Sequence, residues 1–302
     1  MELNNQQEII KLTRKWKGER FDDGRPRVPD KDIEALRKMT LEEVWLPLYV
    51  KDYKFQFVGD MRTLLPGVKL VGRAVTCTFA PTRPDLYTVV HDLGREKGWQ
   101  GMCNQWVIDN LNNGDVVVAD MYDKVFNGTF IGGNLTTAIS ARTGNGGAVI
   151  WGGVRDVEQM SKIGVQVYFR GTDPTPIREC VMTGYNTACR INEAVCLPGD
   201  VVLGTTSGVI FIPCHLVREI IESASKSMIR DVFSFDMLEK GIYSSADIDS
   251  PVWTMEMLDN MLEFIANDER CVEHRDLDWS LEINAAKGKP DALEEVMKTC
   301  LT

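Results

Sequence analysis

The sequence predicts an α/β protein. Between residues 69 and 213, six short segments rich in Val and Ile are punctuated by Gly or Pro, and stretches of helical character lie between them. Composition agrees, because 44% hydrophobic and 26% charged residues over 302 positions is the balance of a globular chain rather than a disordered or fibrous one.

Residues 1 to about 30 are polar and broken by DDGRPRVPD, which predicts an arm laid over a body. From Asp30 to Leu48 the residues Ile33, Leu36, Met39, Leu41, Val44 and Leu46 give a mixed helical pattern. Thr40 and Glu43 are spaced as a capping box, so two helices are expected to meet there. The expected strands are 69–79, 115–120, 147–152, 165–170, 200–204 and 207–213. One helix is expected at 134–144, with Asn134 as N-cap and Gly144 as C-cap, and another at 154–164. After Pro213, Leu216, Ile220, Ala224, Met228 and Val232 recur every four residues, the stripe of an amphipathic helix. A further helix is expected to open with Ser250 as cap and Pro251 in its first position. From His274 onward the chain is mostly charged and interrupted by Gly and Pro, which predicts a surface tail. The expected divisions are 1–59 (arm and helices), 60–213 (α/β core, with the segment 83–113 within it) and 214–302 (helices and tail).

Thirty-four basic against 44 acidic residues leave a formal charge of −10, which argues against nucleic acid or an anionic membrane as partner. No apolar run approaches the roughly 18 residues of a bilayer span. The first twenty residues lack the apolar core of a secretory signal, so a cytoplasmic location is expected. Eight cysteines form no CxxC pair, and only His91, His215 and His274 are available to join them, so a zinc set is not expected. Buried free thiols are the expectation. Cys103 and Cys77 are the candidates for a reactive thiol, and the sequence places no histidine beside either. Any metal is expected to be a hard ion held by oxygen.

The informative stretch runs from Ile131 to Asp156. Gly132 and Gly133 immediately precede a helix, where backbone N–H groups converge at the positive end of the dipole and no Cβ blocks a small anion. The same pattern also serves a tight strand-to-helix turn. It is neither a P-loop nor a GxGxxG fingerprint. Farther on, a strand ends in Gly152-Gly153-Val154-Arg155-Asp156, and residues at the carboxyl end of a sheet strand face the crevice where α/β ligands bind. Arg155 offers a planar fork to a carboxylate, and Asp156 a hard oxygen to Mg²⁺ or Mn²⁺. An exposed Arg-Asp pair opening a helix is the plainer alternative. His91, Asp92, Trp99, Gln105 and Trp106 suit either a lid or a helix packed on the sheet. His91 is a candidate acid or base, or else a packed residue. Tyr122 and Asp123 follow the 115–120 strand and are expected to reach the same crevice.

The order of these motifs is Pro66-Gly67, Gly72-Arg73-Ala74-Val75-Thr76, Gly114-Asp115, Gly132-Gly133-Asn134-Leu135, Gly152-Gly153-Val154-Arg155-Asp156, Phe169-Arg170-Gly171 with Pro174, Pro198-Gly199-Asp200, and Gly208-Val209 with Pro213. It resembles the RraA-like family, which includes the 4-hydroxy-4-methyl-2-oxoglutarate / 4-carboxy-4-hydroxy-2-oxoadipate aldolases, over roughly residues 60 to 240. The resemblance implies a swivelling β/β/α (phosphohistidine-domain-like) core with N- and C-terminal helical extensions, assembled as a homotrimer or hexamer with active sites between subunits. It implies that Arg155 holds a 2-oxo acid and that Asp156 binds the divalent metal, Mg²⁺ or Mn²⁺. It also implies that Gly132, Gly133, Asn134 and Leu135 present amides to the substrate carboxylate. A further acidic residue comes from the neighbouring subunit's C-terminal helix, where Asp231 is the best match. Two departures stand out: Asn134 where the family often has an acid, and Gly204-Thr205 where it usually has Ala-Asp. The activity implied is a metal-dependent lyase that cleaves or decarboxylates a 2-oxo acid through a pyruvate enolate, with Asp231 orienting a water as base in the aldol case. The alternatives are another hydroxy-acid or sugar-acid lyase reaction in the same pocket, or a non-catalytic regulator that binds a partner.

Overall fold

A computed structural model describes residues 2–144 and 146–299. Along the chain the elements are α1 (Gln6–Leu12), α2 (Asp30–Lys38), α3 (Leu41–Val50), β1 (Phe57–Val58), β2 (Arg62–Thr63), β3 (Leu70–Pro81), α4 (Pro84–Glu96), α5 (Cys103–Asp109), β4 (Asp115–Asp120), β5 (Thr129–Ile131) and α6 (Gly133–Thr143). They continue as β6 (Gly147–Val154), α7 (Val157–Met160), β7 (Gln166–Thr172), β8 (Cys180–Tyr185), β9 (Cys189–Ile191), β10 (Ala194–Cys196), β11 (Val201–Thr205), β12 (Gly208–Ile212), α8 (Val217–Glu239), α9 (Ser245–Ile248), α10 (Met255–Asn267), α11 (Ser280–Ala286) and α12 (Pro290–Lys298). The chain forms two compact units, residues 2–41 with 55–217 and residues 42–54 with 218–299. No helix among the described residues is long and apolar enough to cross a membrane.

The first unit is a mixed α/β structure. Its sheet, ten-stranded among the described residues, runs β1-β12-β11-β3-β4-β6-β7-β2, with β5 paired to β6 and β8 to β3. The β3, β4, β6 and β7 pairings are parallel, and β11, β12, β1, β2 and β8 join antiparallel. Strand β4 shows why DVVVAD reads as central: alternate residues enter different cores. Val117 and Ala119 pack with Val75, Ile150 and Val167 under α4 to α6, whereas Val116 and Val118 pack with Ala74, Val149 and Tyr168 under the β9–β10 hairpin.

The six expected strands are present, with ends shifted by a residue or two; β1, β2, β5, β8, β9 and β10 are additional. The helix expected to be capped by Asn134 instead begins at Gly133 with Gly132 as N-cap, while Gly144 closes it as expected. The expected 154–164 helix is reduced to α7, because Val154 still belongs to β6 and Asp156 takes a left-handed conformation (φ 57°). The 83–113 segment forms α4 and α5, and Trp106 is packed at 2% exposure against the sheet.

The N-terminal arm is part of the core structure. Leu3, Ile9 and Val28 are buried, and so is the guanidinium of Arg25, which donates from both Nη atoms to the buried Asp115 carboxylate at 2.9 Å and from Nε to Asp23 at 2.7 Å. Arg73 reaches back from β3 to the Val28 carbonyl and the Asp30 carboxylate.

Asp200, in the turn before β11, is buried and accepts from the Leu197 N–H (2.8 Å) and the Cys214 N–H (3.3 Å). Burial pushes its carboxyl from the usual range up to about 7. The folded state therefore holds a proton that the unfolded chain releases, so this group favours folding at low pH and loses that contribution as pH rises toward about 7. Denaturant midpoints measured from pH 4 to 8 are expected to carry this falling component in the wild type and to lack it in Asp200→Asn.

In the second unit, Phe233 of α8 packs with Trp253, Met257, Leu258, Met261, Ile265 and Trp279. Its helix α10 starts at Met255, capped by the Thr254 side chain, and not at Ser250-Pro251. The segment after His274 is not a tail: α11 and α12 pack on each other through Ala285, Ala292 and Val296, with Leu281 and Leu293 beside them.

Candidate functional site

Strand β6 is buried along its whole length and ends in Gly152, Gly153 and Val154. The paired glycines admit the loop that follows β4. A Cβ on Gly152 would lie 2.5 Å from Met121 Cβ and 2.9 Å from the Lys124 carbonyl, and one on Gly153 would lie 2.9 Å from the Val125 carbonyl. The Gly153 N–H donates to the Lys124 carbonyl at 3.0 Å. Held this way, the loop delivers β5 alongside β6, and the Arg155 N–H donates to the Ile131 carbonyl at 3.0 Å. The next residues after Ile131 are Gly132 and Gly133, so the helix start is set against Arg155 and Asp156. Gly152→Ala is expected to lower stability by roughly 1–3 kcal/mol through overpacking, read from denaturant unfolding.

At this junction the sequence-predicted residues meet. The Gly133 N–H donates to Asp156 Oδ2 at 3.2 Å, and Arg155 Nη1 lies 3.5 Å from the same oxygen. Gly132, the N-cap, has no side chain to cap α6, and the Asp156 carboxylate does so from across the turn. A Cβ at Gly132 would overlap Asp156 Oδ2 and approach Arg155 Cγ to 2.9 Å, so glycine keeps this carboxylate open. The Arg155 and Asp156 side chains are 40% and 34% exposed, and an ion pair so wet contributes only about 0–1 kcal/mol of stability. Both groups remain available to a ligand. Asn134 and Leu135 occupy the second and third helical positions, where N–H groups have no partner within a helix. The Asn134 side chain is exposed. Gln159 of α7 also borders the junction, its Cβ 3.5 Å from where a Cβ on Gly133 would sit. Sequence reading passed over Gln159, although its spacing of three from Asp156 puts it one turn on.

The other candidates make contacts of their own. Tyr122 turns its hydroxyl to Cys180 Sγ (3.3 Å) and the Glu179 carbonyl (3.4 Å), and Asp123 pairs with Arg170 at 3.1 Å. Asp231 is an exposed residue of α8 in the second unit. His91 stacks on Tyr87 (centroids 4.0 Å apart) and meets Trp106 edge-on. Its Nε2 lies 4.0 Å from Cys103 Sγ, so a histidine does stand beside Cys103. The pair is a packed one: burial pushes the Cys103 thiol up to about 11, and burial together with Arg95 lowers the His91 imidazole, so both are neutral near pH 7. The seven described cysteines are free and buried, and Cys300 lies outside the described residues.

Among the described residues no group of three or more His, Cys, Asp or Glu could hold a metal. The junction therefore offers one carboxylate, unobstructed by a neighbouring Cβ. That donor set fits a hard cation such as Mg²⁺, which keeps several waters and takes one or two carboxylates from a protein. It does not fit zinc, which needs nitrogen or sulfur ligands.

The comparisons with known proteins agree with this architecture. Protein DlpA of Legionella pneumophila is 26% identical over 170 residues, 54% of this chain and 24% of that protein, so the chain spans about a quarter of that relative's length. Streptomyces coelicolor RraAS2, described as an unusual member of the RNase ES inhibitor RraA protein family, superposes with a TM-score of 0.60 at 23% identity, covering 69% of this chain and 98% of that one. A structure described as one of the novel cellulases from microbes associated with the gut ecosystem gives 0.59 at 18% identity, covering 75% and 95%. Both structural likenesses are ones of fold alone. The family pattern described as Aldolase/RraA matches residues 49–211, more than half of the sequence. With the Gly-Gly helix start and the Arg-Asp pair inside that span, the chain belongs to the RraA-like family.

Proposed function

We propose that the chain is a divalent-metal-dependent carbon–carbon lyase that cleaves or decarboxylates a small 2-oxo acid through a pyruvate enolate. The observation that supports this reading best is the junction of Arg155, Asp156 and the Gly132-Gly133 helix start at the end of β6. The RraA-like family contains metal-dependent aldolases and decarboxylases, as well as RNase inhibitors without catalysis.

In this reading Asp156 would hold Mg²⁺ or Mn²⁺, which would supply Lewis acidity toward the bound 2-oxo acid. The chain's own groups do the rest. The Arg155 fork pairs with substrate oxygen and stabilises the negative charge that develops on it as the C–C bond breaks. The free N–H groups of Asn134 and Leu135, at the positive end of α6, receive the substrate carboxylate. Gly132 and Gly133 leave room for it. Asp231, contributed by a neighbouring copy in a homotrimer or hexamer, orients the water that takes the hydroxyl proton in an aldol cleavage. Residues 60–213 carry the catalytic core in the swivelling β/β/α arrangement, and the protein works in the cytoplasm, without nucleic acid or membrane.

The test is coupled detection of pyruvate from a panel of 4-hydroxy-2-oxo acids and oxaloacetate, with Mg²⁺, with Mn²⁺ and with EDTA. Pyruvate release that exceeds the metal-only blank and vanishes with EDTA is the expected result. Absence of release from every member of the panel contradicts the proposal.

A further inference from the structure

A polar cleft of about 520 Å³ opens in the first unit, between the arm loop around Arg20 to Arg27 and the turn that carries Asn110, Asn112 and Asn113 into β4. It lies by Arg73 and the start of β4, at the opposite end of the parallel strands from Arg155 and Asp156. We propose that this cleft binds a small, uncharged, polyhydroxylated molecule of the size of a hexopyranose. The proposal is independent of the lyase reading.

Charge decides against an anion. The cleft is lined by four carboxylates (Glu19, Asp22, Asp23, Asp30) and three guanidiniums (Arg20, Arg27, Arg73), one more negative than positive. Each guanidinium is already engaged by the protein. Arg20 donates to the Thr13 hydroxyl and to the carbonyls of Thr13, Trp16 and Gly24. Arg27 pairs with Glu19 at 3.0 Å, and Arg73 donates to the Val28 carbonyl and Asp30. Nη1 of Arg27 is taken by Glu19, and the carboxylates outnumber the guanidiniums, which disfavours a phosphate or carboxylate.

The groups that are left over define the ligand. The Asp22 carboxylate and the carboxamides of Asn112 and Asn113 line the cleft, are exposed, and make no side-chain hydrogen bond among the described residues. Each presents two polar atoms side by side, and the carboxamides both donate and accept. Vicinal hydroxyls, which also donate and accept, match such pairs. The walls are preorganised. The Arg20–Pro26 bridge closes the arm loop, Gly24 turns it at φ 91°, and Phe21 is held under the guanidiniums of Arg25 and Arg27, centroid distances 4.8 and 5.6 Å. The Phe21 ring lines the same cleft. The volume falls within the roughly 300–1,000 Å³ of small-molecule sites.

The experiment is calorimetric titration of the full chain with D-glucose, D-galactose and D-mannose, repeated on Asp22→Ala, on an Asn112→Ala/Asn113→Ala double variant and on Asp156→Asn. Saturable binding of at least one sugar is expected. It should weaken about tenfold or more in both cleft variants, the loss of one good hydrogen bond, and stay unchanged in Asp156→Asn. Because the three cleft residues are exposed, both variants should melt with the wild type. Absence of saturable binding of all three sugars overturns the proposal. So does binding that survives both cleft variants, whether or not Asp156→Asn removes it.

Discussion

Asp156→Asn is expected to abolish metal-dependent turnover, by about 10²–10³-fold or more in kcat/KM, while leaving the melting temperature nearly unchanged. The backbone at this position sits at φ 57°, a conformation that asparagine tolerates as readily as aspartate. The amide oxygen still accepts the Gly133 N–H, so the cap on α6 survives. Only the negative charge is lost, and with it the hard ligand for a divalent cation. Steady-state kinetics with saturating Mg²⁺, paired with a thermal melt, reads both parts. Wild-type turnover in this variant removes Asp156 from the metal role.

The second large effect is on stability. Arg25→Ala is expected to cost about 3–5 kcal/mol in denaturant unfolding, because it strands the Asp115 carboxylate in a fully buried position, whereas Asp115→Ala should cost less, because Arg25 keeps its 2.7 Å bond to Asp23. Both side chains are 0% exposed and meet through two parallel 2.9 Å bonds, so lysine at position 25 cannot reproduce the fork. Removing both partners should cost less than the sum of the single changes, and that difference measures their coupling. Equal, additive and small losses would contradict the assignment of this pair as the anchor of the arm.

These two predictions differ in how far the sequence foretold them. The Arg-Asp pair at 155–156 and the glycines at 132–133 were legible because each sits next to a continuous apolar strand run or a helix start, and local pattern places both. The central strands were legible for the same reason, since runs such as VVVA and AVIW are buried on both faces. The anchor of the arm was not. Arg25 and Asp115 are ninety residues apart, and nothing local in DDGRPRVPD distinguishes a buried arginine from a solvated one. The C-terminal helices were missed because their apolar stripe is built of small residues: Ala285, Ala292 and Val296 suffice to pack α11 on α12 within a highly charged stretch. The cap of α6 was misassigned to Asn134, because local reading expects a side chain at the cap. Here Gly132 stands there, and the capping oxygen arrives from Asp156. Strands β8 to β10 escaped notice because β9 and β10 are only three residues long and Cys, Met and Gly dilute the β-branched character of β8.

The central claim is that one aspartate, backed by a guanidinium and a glycine turn, gathers a divalent cation and a 2-oxo acid. Anomalous diffraction from crystals grown with Mn²⁺ and pyruvate tests it directly. The account predicts a manganese peak at the Asp156 carboxylate with pyruvate between it, Arg155 and the start of α6. A peak at other residues, or pyruvate bound away from that junction, contradicts it.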